Sequence, residues 1–427
     1  MSESSQPERL FSAQGRRLSP PQITGLMKTA LEQPDLLSLA AGFTDTETLP
    51  RREVLAAVEA LLSDPGPPEY LQYGTNQGRP GLRSLLASRL GRQDRSETPP
   101  DDAALFITNG SQQALSLALQ TLCDPGDIVL VERPTYFVLL ELARGLGIKT
   151  RSLPCREDGT PDPPALDELL TEWTKSGDIR RLKAVYLVSY FSNPSSLCLP
   201  ETEKLSLAET LTRHNTFPAL IEDAAYRDLY FDSPYPARGI LALPGLERFP
   251  RLYTGTCTKP FATGLKVGFG VCPDGAWRER MLYLKGQQDF GTANFNQAIL
   301  EHVLAKGAYD DCLDRLRVHY RGKRDVLLET FEQEGLASLG WHWEVPEGGL
   351  YFWLRGPGRL ETGPGSDFHQ RALQNGVLYV PGELCYSDRA PRNRIRISFG
   401  VLPRERLVEA AKRFRQTAGE AQLQSET

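Results

Sequence analysis

Residues 252–272 read LYTGTCTKPFATGLKVGFGVC, and this stretch holds two apolar segments and two lysines. The apolar segments, Leu252–Gly255 and Val267–Cys272, have the length and composition of buried strands. Lys259 follows the first segment closely and is surrounded by threonines. A lysine at the end of a buried strand is poorly placed to be an ordinary solvated charge. The stretch therefore indicates a site as well as two strands.

The alternation of strand and helix patterns extends from about residue 100 to residue 275. Helical patterns separate several of the strands, as in Gln112–Leu122, Tyr136–Gly145 and Glu201–His214. This alternation predicts the α/β fold class, with a large domain built on a mostly parallel seven-stranded sheet covered by helices. The predicted strands are Ala104–Thr108, Ile128–Glu132, Lys149–Leu153, Ala184–Ser189, Ala219–Asp223, Leu252–Gly255 and Val267–Cys272.

The pattern changes beyond about residue 300 and predicts a smaller α+β domain. A charged helical region at about 296–334 leads into Trp341–Leu354, a hairpin-like strand pair broken at two glycines. The N-terminal segment has a short helix of its own, Ile23–Gln33. The predicted division is residues 1–50 as a segment that packs with the small domain, residues 51–305 as the large domain, and residues 306–427 as the small domain.

Composition and charge argue against several classes of protein. The chain has 427 residues, of which 40% are hydrophobic, and its net charge of −5 gives no sign of nucleic-acid or anionic-membrane binding. No apolar run is long enough to span a bilayer, and the polar start lacks the apolar core of a secretory signal. Seven scattered cysteines without a C-x-x-C pair favour a reduced, cytoplasmic setting. The five histidines do not have metal-ligand spacing.

Polar residues collect at the predicted carboxyl ends of the strands, where parallel sheets bind their ligands. Gly110, Ser111 and Gln112 link one strand to a helix, and Ser111 is a candidate N-cap. The N–H groups and the dipole of such a helix hold a phosphate. Gly110 lets the backbone approach closely, while Ser111 and Gln112 donate hydrogen bonds. Seen alone, the motif also describes an ordinary capped helix.

Other polar residues predict a site for pyridoxal phosphate. Lys259 is suited to form a Schiff base with its aldehyde. Asp223 ends a strand and can supply the buried anion that keeps a pyridine nitrogen protonated. Asn193 and Tyr226 can reach the ring hydroxyl, and Tyr136 can stack on the ring. Each of these residues also has an ordinary alternative. Lys259 can be a solvated charge, as most lysines near strand ends are; Asp223 and Asn193 can form turns or caps, and Tyr226 and Tyr136 can be packed aromatics.

The strand Arg394–Phe399 alternates with period two, so that its apolar residues lie on one face and Arg394, Arg396 and Ser398 on the other. An arginine on a rigid strand suits the bidentate capture of an α-carboxylate. A solvated polar face is the alternative, and we expect it for Arg394. Spacing alone does not choose between the two roles for Arg396.

Together these motifs resemble fold-type-I pyridoxal-phosphate-dependent aminotransferases of class I/II, in the branch of the 2-aminoadipate and kynurenine-type broad-specificity transaminases. The resemblance runs from about residue 19 to residue 416 and is specific because many motifs occur in one order. Those motifs are Leu39-Ala-Ala-Gly42, Leu71-Gln-Tyr73-Gly, Thr108-Asn-Gly-Ser-Gln-Gln-Ala114, Glu132-Arg-Pro-Thr-Tyr136, Asn193-Pro194, Glu222-Asp-Ala-Ala-Tyr226, Gly255-Thr-Cys-Thr-Lys259, Gly264-Leu-Lys-Val-Gly268, Gly348-Gly-Leu-Tyr-Phe352 and Arg396-Ile-Ser-Phe399.

The resemblance implies an aspartate-aminotransferase-like fold and a homodimer with a shared active site. The implied reaction transfers an amino group between an L-amino acid and a 2-oxo acid such as 2-oxoglutarate. Lys259 becomes the cofactor lysine and general base, and Asp223 the partner of the pyridine nitrogen. The cofactor is further held by Gly110, Ser111, Gln112, Tyr136, Asn193, Tyr226, Thr256, Thr258 and Lys266, and by Tyr73 from the neighbouring subunit. Substrate binding is assigned to Gly42, Asn193 and Arg396.

Two departures from the family pattern bear on cofactor and substrate. Lys266 stands where the phosphate-binding arginine is usual, which keeps the charge but loses the guanidinium fork. Some relatives that accept acidic substrates carry an arginine in the first helix, near Ile23-Thr24-Gly25 of this chain. The abundance of Tyr, Phe and Leu in the candidate region favours aromatic or long aliphatic amino donors.

Two other functions are compatible with the same motifs. A pyridoxal-phosphate-dependent lyase or decarboxylase has the same cofactor geometry and differs in the bond broken at the α-carbon; it releases ammonia or carbon dioxide. A transcription regulator that binds the cofactor without turnover carries a DNA-binding module ahead of this domain. Only a polar stretch precedes the resemblance here.

Overall fold

A seven-stranded sheet forms the centre of the structure, a computed structural model that describes residues 10–33 and 35–425. Residues 1–9 of the predicted N-terminal segment therefore lie outside the described residues. The strands are β1 (Leu37–Ser38), β2 (Leu105–Asn109), β3 (Ile128–Val131), β4 (Lys149–Ser152), β5 (Leu182–Leu187), β6 (Ala219–Asp223), β7 (Arg251–Thr256), β8 (Val267–Val271), β9 (His342–Trp343), β10 (Tyr351–Arg355), β11 (Val377–Leu378), β12 (Val380–Pro381) and β13 (Arg394–Ser398).

Helices cover both faces of this sheet and frame the smaller sheets. They are α1 (Ala13–Arg17), α2 (Gln22–Glu32), α3 (Arg51–Ser63), α4 (Pro80–Gln93), α5 (Ser111–Leu122), α6 (Phe137–Leu146), α7 (Pro163–Ser176), α8 (Glu201–Arg213), α9 (Gly275–Asp289), α10 (Asn294–Ala305), α11 (Ala308–Gln333), α12 (Asp367–Gln374) and α13 (Arg404–Ser425). None of the helices in the described part of the chain combines the length and apolar character needed to cross a membrane.

The strand order in the large sheet is β2-β8-β7-β6-β5-β3-β4. Only β8 runs antiparallel to its neighbours, and the remaining pairs are parallel. The central strands are buried along their whole length, because helices pack on both faces. The edge strand β4 instead alternates between exposed and half-buried residues. The predicted mostly parallel seven-stranded sheet is confirmed.

Two smaller sheets lie beyond the large one. Strands β12-β13-β10-β9 form an antiparallel sheet, and β1 pairs with β11 in parallel. The backbone continues this pairing toward the site, since the Ser398 N–H donates to the Leu39 carbonyl at 2.7 Å. The N-terminal segment thus lies against the same sheet that carries Arg396.

The charged region at about 296–334 is helical, as predicted, and consists of two helices. Helix α10 ends at Ala305, and α11 begins at Ala308. Gly307 between them has φ +77°, a left-handed conformation that ends a helix and that glycine adopts without strain.

Candidate functional site

A cavity of about 170 Å³ lies where the carboxyl ends of β6 and β7 meet the start of α5. The predicted cofactor residues line it, with the single exception of Tyr73, and Lys259 lines it with them. Val188 and Ala225 are additional lining residues that the sequence analysis missed, and Asn109 lines the cavity as part of the predicted motif at residues 108–114. The cavity is lined by Asn109, Gly110, Ser111, Gln112, Tyr136, Val188, Asn193, Asp223, Ala225, Tyr226, Thr256, Thr258, Lys259 and Lys266.

One end of the cavity is suited to an anion. Helix α5 begins at Ser111, so the prediction of Ser111 as N-cap is wrong by one residue; Gly110 caps the helix with φ +72°. Glycine fits here because this conformation strains other residues. The first-turn N–H groups of a helix lack partners within the helix and carry its positive dipole end. Among the described residues, the buried Gln112 Oε1 has no hydrogen-bond partner.

Hydroxyl groups and a second lysine complete this end. Thr256 Oγ1 and Thr258 Oγ1 are hydrogen-bonded at 2.8 Å, which holds both hydroxyls at the cavity wall. Lys266 has φ +58° and follows the short helix Thr263–Leu265. Its left-handed backbone turns the chain into β8 and leaves the lysine lining the cavity.

A polar cluster behind the cavity fixes the start of α5. Asp289 accepts hydrogen bonds from the side chains of Gln113, at 2.8 Å, and Asn109, at 3.0 Å. Lys285, whose side chain is fully buried, pairs with the same carboxylate at 3.0 Å. This cluster was missed from the sequence because α5 and α9 are far apart along the chain.

The opposite end of the cavity holds a buried carboxylate, Asp223. Tyr186 Oη donates to Asp223 Oδ2 at 2.8 Å, and the Ala225 N–H donates to Oδ1 at 3.1 Å. Burial raises the pKa of Asp223 to about 6; the two hydrogen bonds oppose this, and the neighbouring Glu222 adds to it. A cation bound beside Asp223 would stabilise its ionised form. Tyr186 was missed because it lies 37 residues earlier, on the adjacent strand.

Lys259 points its amine across the cavity toward the N-terminal segment. Its Nζ donates to the Gly42 carbonyl at 2.5 Å. Burial, together with the positive charges of Arg396 and Lys266, lowers the pKa of this amine to about 8. A larger fraction of Lys259 is therefore neutral and nucleophilic near neutral pH than for an ordinary lysine.

The predicted substrate residues Gly42, Asn193 and Arg396 come together beside this amine. Arg396 is 1% exposed and donates through Nη1 to Asn193 Oδ1 at 2.7 Å and through Nη2 to the Ala40 carbonyl at 2.7 Å. Its Nε has no hydrogen-bond partner within the described ranges. Because Asn193 Oδ1 accepts from Arg396, its amide nitrogen is left to donate elsewhere.

Two aromatic rings enclose Arg396, and one of them reaches Tyr226. The guanidinium carbon is 4.2 Å from the ring centre of Tyr351 and 5.6 Å from that of Phe137. The Tyr351 and Tyr226 hydroxyls are hydrogen-bonded at 2.8 Å. Tyr351 lies in a motif that the sequence analysis singled out, but its role in the site was missed.

Two predicted positions lie apart from this constellation. Tyr73 is 82% exposed, does not line the cavity, and has its ring 5.8 Å from that of Phe290. Arg394 is half-buried, with its Nε buried and unpartnered in the described part of the chain. The prediction of a solvated Arg394 is therefore wrong, because Gly382 packs directly against it.

Similarity to known proteins extends over nearly the whole chain. The sequence model of the family described as aminotransferase class I and II matches residues 34–414, a range that contains every cavity residue. Aromatic-amino-acid aminotransferase 1 of Thermococcus litoralis is 29% identical over 413 residues, which are 97% of this chain and 95% of that protein. The 2-aminoadipate transaminase of Thermus thermophilus is 29% identical over 411 residues, 95% of each chain. The crystal structure of Pyrococcus horikoshii kynurenine aminotransferase superposes with a TM-score of 0.86 at 30% identity, covering 98% of this chain and 99% of that one.

Proposed function

This chain belongs to the class I and II aminotransferase family and is a transaminase, which moves an amino group between an amino acid and a 2-oxo acid; we propose that it uses pyridoxal phosphate bound in the cavity beside Lys259. One observation carries the proposal: a single cavity joins an anion-binding helix start, a lysine of lowered pKa and a buried carboxylate. These three groups match the three parts of the cofactor: the helix start suits its phosphate, the lysine its aldehyde and the carboxylate its pyridine nitrogen.

The residues of the cavity fit this cofactor. Its phosphate would be held by the first-turn N–H groups of α5, the hydroxyls of Thr256 and Thr258, and the Lys266 amine. Asp223 would pair with the pyridine nitrogen, and Tyr136 would stack on the ring. When bound, pyridoxal phosphate supplies an aldehyde that takes up the amino group and a ring that accepts electrons from the bond broken at the α-carbon.

The chain's own groups divide the remaining work. Lys259 Nζ is the general base: its lowered pKa leaves it able to take the α-proton of the substrate and to hold that proton until it is returned. Asp223 provides a fixed negative charge that would keep the pyridine nitrogen protonated and positively charged. Asn193 Nδ2 and Tyr226 Oη would donate to the ring hydroxyl, which orients the ring in the cavity.

Arg396 would bind the α-carboxylate of the substrate. Its unpartnered Nε, together with the two terminal nitrogens, offers a guanidinium edge for bidentate binding. A substrate carboxylate would exchange with the protein acceptors that Arg396 now contacts. Gly42 lets the N-terminal segment approach Tyr351 closely, since an added Cβ at this position would lie 2.8 Å from Tyr351 Oη.

The surroundings of Arg396 support aromatic or long aliphatic amino donors. Phe137 lies beside the guanidinium and belongs to an apolar cluster that also contains Trp353, Val138 and, from α2, Leu26. Helix α2 has the sequence QITGLMKTALE, which contains no arginine for a distal carboxylate. Apolar side chains in such surroundings lose their contact with water, which favours their binding.

We further propose a homodimer, a two-domain division and a reducing, cytoplasmic location. The exposed Tyr73 and Phe290 support a subunit contact through which Tyr73 reaches the neighbouring phosphate site. The division into residues 1–50, 51–305 and 306–427 follows the separate sheets, and the seven free thiols support the location. Sedimentation would measure the dimer, and mixed Tyr73→Phe and Lys259→Ala subunits should recover activity that neither variant has alone.

The test of the proposed function is an absorbance titration of the purified protein with a panel of L-amino acids. The bound cofactor should give a visible band that fades with aromatic or long aliphatic donors and returns with 2-oxoglutarate. Lys259→Ala should not turn over. Release of ammonia or carbon dioxide would instead indicate a lyase or decarboxylase. A band that no amino acid changes would indicate binding without turnover, and no band after adding pyridoxal phosphate would refute the cofactor.

A further inference from the structure

We propose that Tyr351 is a positioning residue that couples Arg396, the carboxylate-binding group, to Tyr226, the donor to the ring hydroxyl of the cofactor. This inference rests on the proposed function, because it assumes that Tyr226 binds the cofactor. It adds a residue that contacts both Arg396 and Tyr226 but does not itself line the cofactor cavity.

The contact between Tyr351 and Tyr226 is buried and specific. The two hydroxyl oxygens lie 2.8 Å apart, and the rings meet edge to face at 5.6 Å between centroids. Tyr351 is 1% exposed and Tyr226 is 5% exposed, so each hydroxyl depends on the other rather than on bulk water. A buried hydroxyl without a partner is costly, which holds the pair together.

The ring of Tyr351 also supports the guanidinium of Arg396. Tyr351 pairs with Ser398 across β10 and β13, and Arg396 is two residues earlier on the same strand. Side chains in this diagonal relation share one face of a sheet. The guanidinium carbon lies 4.2 Å from the ring centre, within the range of a cation–π contact.

Neighbouring backbone fixes Tyr351 in this position. Ser196 Oγ donates to the Tyr351 carbonyl at 2.8 Å, just beyond Asn193 in the chain. On the other side, the backbone at Gly42 approaches so closely that a Cβ there would meet Tyr351 Oη at 2.8 Å. The phenol therefore has little room to move away from either partner.

This arrangement sets the direction of the hydrogen bonds once the cofactor is bound. Tyr226 has one proton, and donating it to the ring oxygen leaves its own oxygen to accept from Tyr351. A chain of hydrogen bonds in one direction strengthens each donor. The titratable and charged groups that face the Tyr226 phenol are Tyr351, Tyr136 and Arg396, and burial raises the pKa of Tyr226, which keeps it a donor.

The first test is a pH titration of the visible band of the bound cofactor. Tyr351→Phe removes the hydroxyl that makes Tyr226 a stronger hydrogen-bond donor to the ring oxygen of the cofactor. The deprotonated ring oxygen is then less well stabilised, so the protonated form of the cofactor should persist to higher pH, with the midpoint of the titration raised by roughly half a pH unit. In a Tyr226→Phe background the same change should add no further shift. An unshifted midpoint in Tyr351→Phe, or equal shifts in both backgrounds, would overturn the coupling. Absence of the band in the unmodified protein would refute the proposed function instead.

The second test separates the ring of Tyr351 from its hydroxyl. The probe is 3-phenylpropanoate, a carboxylic acid without an amino group, and its binding is followed by its effect on the same band. Tyr351→Phe should bind it as the unmodified protein does, whereas Tyr351→Leu should bind it roughly three- to thirty-fold more weakly. Unchanged affinity in Tyr351→Leu would overturn the role of the ring.

Tyr379→Phe is the matched control for both tests. Tyr379 is also fully buried, and its hydroxyl donates to the Thr362 carbonyl at 2.9 Å, away from the cavity. It should lose stability without any change in the midpoint or in carboxylate affinity. An equal shift in this control would show that Tyr351→Phe acts through general loosening of the fold, and the proposal would fail.

Discussion

Asp223 and Lys259 have pKa values that are shifted toward each other, to about 6 and about 8, and burial is the first cause in both cases. Between these values both groups are largely charged in a site that disfavours charge. The carboxyl of Asp223 has a folded-state pKa above its ordinary value, so its contribution to stability falls as the pH rises through about 6. Keeping Asp223 ionised in this buried position therefore costs stability in the cofactor-free protein.

Asp223→Asn should make the cofactor-free protein more stable above pH 6 while removing activity. The amide avoids a buried charge, so the free energy of unfolding at pH 8 should rise by roughly 1–3 kcal/mol, as measured by urea denaturation. Turnover should fall by about 10²-fold or more, because a neutral amide does not keep the pyridine nitrogen protonated.

Asp228→Asn serves as the control for this change. Asp228 lies in the turn that follows β6, outside the cavity, and accepts a hydrogen bond from Arg89 Nη2 at 2.9 Å. Its amide variant should keep turnover and lose stability, since Arg89 loses a charged partner. A cofactor-free Asp223→Asn protein that unfolds more easily than the unmodified one at pH 8 would contradict the assigned electrostatics.

At the scale of elements, strand β8 and the start of α5 are in backbone contact. A Cβ added at Gly268 would lie 2.4 Å from the Gly110 carbonyl carbon and 2.5 Å from the Ser111 nitrogen. Non-bonded contacts of a Cβ are essentially never this short, and the backbone of Gly110 and Ser111 has little freedom to move away. The absence of a side chain at Gly268 thus sets the position of the N–H groups assigned to the phosphate.

Gly268→Ala should push α5 away from β8 and weaken cofactor binding. Overpacking of this kind costs about 1–3 kcal/mol of stability, and the affinity for pyridoxal phosphate should fall with it, as measured by the absorbance of the bound band. Gly264→Ala is the matched control, because nothing lies within 4 Å of a Cβ there. If both variants bind the cofactor equally well, this contact does not position the phosphate site.

The sequence predicts elements well where the pattern is local. Strand and helix patterns at 105–271 recur in the structure, and the predicted family and reaction are confirmed by the match over residues 34–414. The cap of α5 was predicted wrongly and the break at Gly307 was not predicted, since both depend on backbone conformation that composition leaves open. Tyr186 and Tyr351 were missed because their partners lie 37 and 125 residues away.

At the scale of the whole molecule, a buried ion pair ties the N-terminal segment to α11. Lys323 Nζ lies 2.7 Å from Asp45 Oδ2 and donates to the Gly400 carbonyl at 3.0 Å. Burial opposes ionisation of Asp45, but Lys323, the Glu47 N–H and His319 outweigh it and lower its pKa. This contribution to stability is therefore present above the ordinary pKa of an aspartate and is lost as the pH falls.

Lys323→Met should destabilise the protein by about 3–5 kcal/mol, because it leaves the Asp45 carboxylate buried without its main partner. Adding Asp45→Asn should recover part of that loss, and urea denaturation at pH 7 measures both variants. Arg392→Met is the control: its pair with Glu361 is exposed on both sides and should matter little. Equal losses in the two methionine variants would show that the buried pair has no special weight.

Two neighbouring carbonyls of the N-terminal segment act as built-in competitors for ligands. The Ala40 carbonyl accepts from Arg396, and the Gly42 carbonyl accepts from Lys259. In the proposed function a substrate carboxylate would displace the Ala40 carbonyl and the cofactor aldehyde would displace the Gly42 carbonyl, so binding would exchange hydrogen bonds rather than add them. The heat of carboxylate binding, measured by calorimetry, should therefore be small for so buried an arginine. Substitutions at residues 40–42 would then change ligand affinity without altering a catalytic side chain.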